Sequence, residues 1–585
     1  MRNGVYGSFR YGCMIFVIGL GGSASLAADA SDAKQSSAPA KAEPHFPKLG
    51  DYTRKVTTTS LVAQQYFDQG LAFLYGFNHD EAIRSFEAAA AADPKCAMAY
   101  WGIAIANGPH INHTEVDEAH AKAAWKALIE SEWLAGWSIQ EPVWKALKKY
   151  REKYPEPAKV SPVEEALIEA LSKRYADPQP KERKPLDEAY ADAMRKVWEA
   201  HPDDADVGAL TAEAIMDLRP WDQWTPAGKP QPGTDEVLRI LDAVLAKSPK
   251  HPLAAHLMIH ASEASPHPER ADVAADRLRD RMPGIGHLVH MPSHIDVRRG
   301  RWQEAVVANE KAIAADNIYY AAVPQQGFYR LYMAHNHHML AYAAMMQGQS
   351  LKSAATVKEM LASVPDEAIK HQADLIDGFF ALPYELHLRF GQWDEMLAEP
   401  QPRKEFPITT ALWHYARGVA LAAKGSVDEA KNEQKEFQFA IKHVPPTATF
   451  SKNLAISIFG IAERMLTGEI LYREGKVDEA IAALRESAKR EDKLKYAEPP
   501  SWIQPVRHAL GAALLESGRG AEAEQVYRDD LVHYPNNGWS LFGLSRALKL
   551  QGKQAEALAV KQQFDKAWEH ADVKLASSCF CLQPK

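Results

Sequence analysis

Nine residues near the middle of the chain carry chemistry legible from residue type and spacing alone. His256, His260 and Glu263 follow one another at steps of four and three. His287, His290 and His294 step by three and four, and so do His335, His338 and Tyr342. On a helix, such steps put side chains on one face. Three neighbouring helices of this kind would gather imidazoles around one carboxylate. Neutral imidazole suits zinc, copper, iron and nickel, and the carboxylate turns the set away from copper(I). The four cysteines, Cys13, Cys96, Cys579 and Cys581, lie far off in sequence, which argues against a thiolate-type structural zinc.

The expected metal ligands are therefore drawn from His256, His260, Glu263, His287, His290, His294, His335 and His338, with His256, His260, His287 and His290 placed first. The same cluster also suits a pH-sensitive or aromatic binding surface, or proton transfer without a metal. Glu263, Tyr342 and Arg298 are the candidate catalytic residues. Arg298, Tyr342 and Tyr415 could hold an anionic substrate. His110 and His113 could add further ligands. Pro292, between His290 and His294, should kink its helix and move His294 off ideal spacing.

The elements that must carry these residues follow from a repeat. Counting from Ala63, residues Gly70, Ala82, Phe86, Ala89 and Pro94 fall at positions 8, 20, 24, 27 and 32. Small residues at 8 and 20 let two helices meet, the larger residue at 24 packs the next repeat, and proline ends the second helix. Residues 504–537 place Gly511, Gly518, Ala523, Tyr527 and Pro535 at 8, 15, 20, 24 and 32. Further copies start at Ala411, Ile461 and Gly538, and three more at Pro252, Gly286 and Ala334, the last after a 14-residue insertion from Tyr320 to Met333. This pattern resembles the tetratricopeptide-repeat (TPR) superfamily over most of the chain. The resemblance implies an all-α superhelical solenoid, with positions 2, 5, 9 and 12 of each first helix lining a concave groove, and a role in binding peptides or proteins.

In the Pro252, Gly286 and Ala334 repeats, slots 2, 5 and 9 hold seven histidines out of nine residues. Composition alone would put about 0.35 there. The fifteen matching slots of the other five repeats hold one, His508. The enrichment is thus confined to three repeats and one face. The runs Ala255–Glu263 and Gly286–His294 resemble those of exported bacterial TPR proteins with histidine-rich central repeats. That resemblance implies export and brings no established activity.

Composition narrows the classes. The 585 residues carry a net charge of −8, with 46% apolar and 25% charged residues, and no basic stripe points to nucleic acid. No phosphate loop or dinucleotide fingerprint calls for a nucleotide or flavin. Arg2, Arg10 and the short apolar run Met14–Leu20 read as a secretory signal, cleaved after Ala27 or Ala30, which would place the protein in the periplasm with no membrane span. A flexible leader, 28–50, should follow the signal at 1–27. The remaining segments are N-terminal repeats (51–150), a weaker helical region with a Trp/Pro loop from Arg219 to Thr234 (151–250), the His-rich repeats (251–400), C-terminal repeats (401–575) and a tail (576–585). Cys579 and Cys581 could form a disulfide or a soft-metal hook, though an untied tail is the plainer expectation. Glu498-Pro-Pro-Ser-Trp502 reads as a structural turn.

The expected function is an exported TPR solenoid with a transition-metal or catalytic histidine site, binding zinc, copper or iron, in its groove. As an enzyme it would be a metal-dependent hydrolase or oxidoreductase acting on a peptide or small molecule. The alternative is a peptide- or protein-binding scaffold in a cell-envelope complex, without metal or catalysis.

Overall fold

The computed structural model describes residues 45–137, 159–325 and 327–580. The signal-like segment, most of the leader and Cys581 lie outside the described residues. The fold is all-α. Among the described residues the one sheet is a hairpin, pairing Thr449–Phe450 antiparallel with Asn453–Leu454.

The repeat signals act as their sizes require. The helices Leu61–Tyr75 and His79–Ala92 start at Ser60 and Asn78, whose side chains accept from the backbone N–H of Ala63 and Glu81. Phe86 fills the space between the first helix and the next repeat's Ala97–Ala106. A Cβ on Gly70 or on Gly102 would come within 2.5 Å of its ring. Tyr527 sits likewise between Gly511 and Gly543, where a Cβ would approach to 2.3 and 2.1 Å. The small residue at position 8 is thus the seat of the large residue at position 24. The turn glycines Gly300 and Gly348 have φ of +69° and +71°, a region that favours glycine at a helix C-terminus.

The chain divides into two compact units. The first comprises Met1–Gln223, Pro230–Leu257 and Gln326–Tyr329; the second comprises Trp224–Lys229, Met258–Gln325 and Arg330–Lys585. The division falls inside the helix Pro252–Glu263. The first unit has an aromatic core that includes Phe67, Phe73, Tyr75, Phe86 and Trp101. It also holds a buried polar knot. Arg54 lies 2.8 Å from both Asp204 and Asp206, and the Tyr52 hydroxyl and His251 Nε2 reach Asp206 at 2.6 and 3.1 Å.

In the second unit, one core gathers Trp302, Met339, Tyr342, Leu386 and Trp539, and another runs through the C-terminal repeats. The Tyr320–Met333 insertion is mostly helix: Trp302–Ala322 runs on into it, and Tyr329–Met346 begins within it. The tail is not untied, contrary to expectation. Ser577 and Ser578 are buried, the Ser578 hydroxyl donates to His508 O at 2.9 Å, and Cys579 is in a disulfide. Packing of Phe580 against Trp539, at 6.0 Å between ring centroids, adds an apolar anchor that the short polar tail sequence did not advertise.

Candidate metal centre

Three segments of the second unit meet around His294. The first is the end of the helix Pro252–Glu263, with His260 and Glu263. The second is the pair Gly286–His290 and Pro292–Arg299, broken where Pro292 lacks an N–H. The third is Tyr329–Met346, with His335. That helix is pinned to its neighbour Trp302–Ala322 by Asn336, which donates to Asp316 at 2.7 Å. A fourth contribution comes from the loop before the Val506–Glu516 helix, which brings in Glu498.

The hydrogen bonds assign the tautomers. Asn309 Nδ2 donates to Ala305 O, so its Oδ1 is the acceptor facing His290 Nδ1 at 2.6 Å. His290 therefore donates from Nδ1 and keeps a lone pair on Nε2. Glu263 accepts from two rings at once, from His260 Nδ1 at 3.0 Å and from His294 Nδ1 at 2.6 Å. The Glu498 carboxylate also pairs with His294 Nδ1. On the other edge, His294 Nε2 lies 2.6 Å from His290 Nε2 and 3.5 Å from His335 Nε2. Ligand atoms of His290, His294 and His335 all lie within 4.8 Å of one another, as do those of His260, Glu263 and His294.

With both Nδ1 atoms donating, the Nε2 lone pairs of His290 and His294 face each other at 2.6 Å, an arrangement that calls for a proton or a metal ion between them. A proton on His294 meets this, and so does a metal ion held by three Nε2 lone pairs. The electrostatics favour either. Burial lowers the His294 pKa, but Glu498 and Glu263 outweigh it and bring it up to about 10. Burial and the neighbouring histidines push His335 well below its usual value, and burial with His294 does the same to His260, so both stay neutral as ligands must. Burial and Glu263 raise Glu498 to about 7, against the pull of His294. Carboxylate and amide acceptors behind ring N–H groups are the support that orients metal-binding histidines.

A tetratricopeptide-repeat family model matches residues 67–107, the stretch in which Phe86 is seated on Gly70 and Gly102. Residues 67–107 thus form a tetratricopeptide repeat. Solved structures similar to this TPR protein include the human IFIT1 dimer with PPP-AAAA, at 13% identity over 86% of this chain and 91% of that one, with a TM-score of 0.30. The APC/C hetero-tetramer Cut9-Hcn1 is 14% identical over 83% of this chain and 76% of that one, with a TM-score of 0.29. The P58(IPK) TPR domain is 12% identical over 84% and 98%, with a TM-score of 0.21. At these scores the likenesses carry nothing about the site. No curated protein matches the chain.

The trio His290, His294 and His335 brings its Nε2 atoms together. His256 belongs to the first unit, where its Nδ1 meets Tyr75 O at 2.8 Å and its ring packs on Phe77. His287 lies against Tyr332, at 4.2 Å between centroids, and stacks on His290 at 5.8 Å. His338 meets the Phe379 ring edge-on. Tyr342 is part of the apolar core, edge-on to Trp302, and burial raises its hydroxyl pKa. Arg298 donates to Ser265 O at 3.1 Å and covers the Tyr496 ring. Tyr415 packs at 5.7 Å from Trp502. His110 and His113 share a short bridge in the first unit, with His113 stacked on Phe328. The Trp loop touches the His260 helix through Trp224 Nε1, which donates to Ala261 O at 2.8 Å.

Two residues of the site escaped the spacing. Glu498 stands outside any repeat frame and was read as part of a structural turn; only the tertiary fold carries it to His294. Asn309 occupies position 24 of its repeat, where Phe86, Leu484 and Tyr527 pack in others. A polar residue in a packing slot was the available signal, although Gln434 shares it.

Proposed function

We propose that this TPR protein binds a transition metal ion through His290, His294 and His335, on a scaffold of a kind suited to binding proteins and peptides. The observation that carries the proposal is the convergence of three Nε2 atoms while the Nδ1 atoms of His290 and His294 are committed to Asn309 and Glu263. Glu263 and Glu498 orient His294 and offset the charge of an ion. Three imidazoles suit zinc, copper or iron. Such an ion supplies a Lewis acid with a coordination position left for water or a ligand.

The test is elemental analysis of protein purified without a histidine tag. About one equivalent of metal is expected, absent from a His290→Ala/His335→Ala variant whose circular dichroism matches wild type. Protein that stays metal-free when challenged with zinc, copper(II) and iron(II) sinks the proposal.

We also propose that the chain is exported to the periplasm, on the strength of Arg2, Arg10 and the apolar run Met14–Leu20. Intact mass of the periplasmic protein should correspond to a start at Ala28 or Ser31. An uncleaved chain confined to the cytoplasm would overturn this reading.

A further inference from the structure

The histidine trio of the second unit has one side that solvent reaches. His290 and His294 are buried, whereas His335 is half-buried. The hairpin of Thr449–Phe450 and Asn453–Leu454 is tied to that side, with Ser451 and Lys452 at its tip. Phe450 meets the Phe379 ring edge-on at 5.4 Å, and Phe379 meets His338, three residues beyond His335, at the same distance. On the other flank, Asn453 Nδ2 donates to Lys495 O at 3.0 Å and to Ser501 Oγ at 2.9 Å, and the Lys495 N–H donates to Asn453 Oδ1 at 2.8 Å. Glu498 lies between these two anchors in the chain. The hairpin thus joins the His335 helix to the Glu498 loop, and Lys452 stands where they meet. Ser451 holds φ at +53°, a conformation that a serine keeps only where its surroundings hold it.

We propose that an ion held by His290, His294 and His335 takes a carboxylate as its remaining ligand, and that the Lys452 ammonium holds the second oxygen of that carboxylate. The inference rests on the metal reading above. Lys452 is half-buried, and its charge reaches the histidines: burial first, then neighbouring rings, then Lys452 lower the pKa of both His260 and His335. An ammonium beside neutral imidazoles and a metal ion attracts an anion and repels an amine. Glu263 and Glu498 do not fill the place, because they reach His294 at its Nδ1 edge, while the trio converges on the Nε2 edge. A divalent ion and Lys452 set against those two carboxylates leave a net positive charge for the ligand to offset. A phosphate dianion is best held by a forked guanidinium. Arg298, one turn beyond His294, is committed instead to Ser265 O and the Tyr496 ring. A lone ammonium, acting as a point charge, suits the single charge of a carboxylate.

The full chain loaded with cobalt(II) tests this through its visible d–d bands, which respond when a ligand on the metal is exchanged. Acetate should change the bands saturably, and acetamide, the same size but uncharged, should not. N-acetyl-dialanine presents the same carboxylate at a peptide end, and the tighter binder of the two acids identifies the source. Lys452→Gln should weaken carboxylate binding by roughly tenfold or more, with cobalt content unchanged. Lys452→Arg, which keeps the charge, should retain most of the binding. Cobalt-loaded protein that ignores both acids, responds equally to acetamide, prefers phosphate to acetate, or binds acetate unchanged in Lys452→Gln would overturn the inference and leave the metal site standing. Protein that takes up no cobalt fails at the metal site itself, and the inference falls with it.

Discussion

His290 and His294 bring their Nε2 atoms to 2.6 Å across the break at Pro292. The helix stops at His290 and restarts at Pro292, and the His294 N–H reaches back only three residues, to Met291 O at 3.2 Å. A proline normally costs a helix one hydrogen bond and some direction. Met291 keeps helical dihedrals, so His290 and His294 stay one turn apart on the same face, and His335 completes the group from the next first helix.

Asn309→Ala should weaken metal binding without abolishing it. The acceptor that keeps His290 Nδ1 protonated is lost, so the ring can turn or take the other tautomer. Losses of this kind are about 10–100-fold in affinity. Competition against a chromophoric chelator measures it, and Asn309→Asp, which keeps an acceptor, should recover most of the loss.

Glu498→Gln tests the carboxylate that spacing did not find. It removes negative charge beside His294 while keeping the side chain's size. Metal affinity should fall by about tenfold, with the thermal midpoint of the metal-free protein moving little. Unchanged affinity would return Glu498 to a purely structural role.

Asp206 sets an acid limit on the first unit. Burial raises its carboxyl pKa, but His251, Arg54 and the Tyr52 hydroxyl outweigh burial and hold it below the usual carboxylate range. A folded pKa lower than the unfolded one, about 3.9, stabilises the fold above that value. The contribution is lost as pH falls from about 4 through the folded pKa. Wild type should therefore lose stability below about pH 4 more steeply than Asp206→Asn. At pH 7 the variant should be less stable by about 3 kcal/mol, since Arg54 loses a buried partner. Urea unfolding followed by circular dichroism across pH reads both.

Gly70 and Gly475 should fail for different reasons. A Cβ on Gly70 would stand 2.5 Å from the Phe86 ring, which is fully buried and has nowhere to go. Gly70→Ala is expected to cost about 1–3 kcal/mol by overpacking. Nothing lies within 4 Å of a Cβ on Gly475, but its φ is +77°. Gly475→Ala should cost about 1 kcal/mol from backbone strain alone. Replacing Phe86 with Leu in the Gly70→Ala background should restore part of the loss, whereas no packing change should rescue Gly475→Ala.

Much of this molecule was legible in the chain. The 34-residue spacing of Gly70, Phe86 and Pro94, and its return at Gly511, Tyr527 and Pro535, carries the helix pairs because each position has a steric task that few residue types perform. The histidine slots were legible for the same reason, since slots 2, 5 and 9 share one helical face. Pro292 was expected to displace His294, and the helix is indeed interrupted there. Which nitrogen each ring commits to a hydrogen bond was not legible. His256 and His260 are one helical turn apart, yet His256 Nδ1 takes Tyr75 O and His260 Nδ1 takes Glu263.

The sequence by itself determined the all-α repeat fold and the concentration of histidine on three successive first helices, because these follow from local periodicity and residue size. Tertiary structure alone decided that His290, His294 and His335 converge, that Tyr342 sits in apolar core, and that Glu498 and Asn309 back the rings. Ring convergence depends on how neighbouring helices are angled and on which nitrogen each hydrogen bond commits. A loop residue such as Glu498, more than two hundred positions from His294 in the chain, becomes its neighbour only through the long-range packing of the second unit.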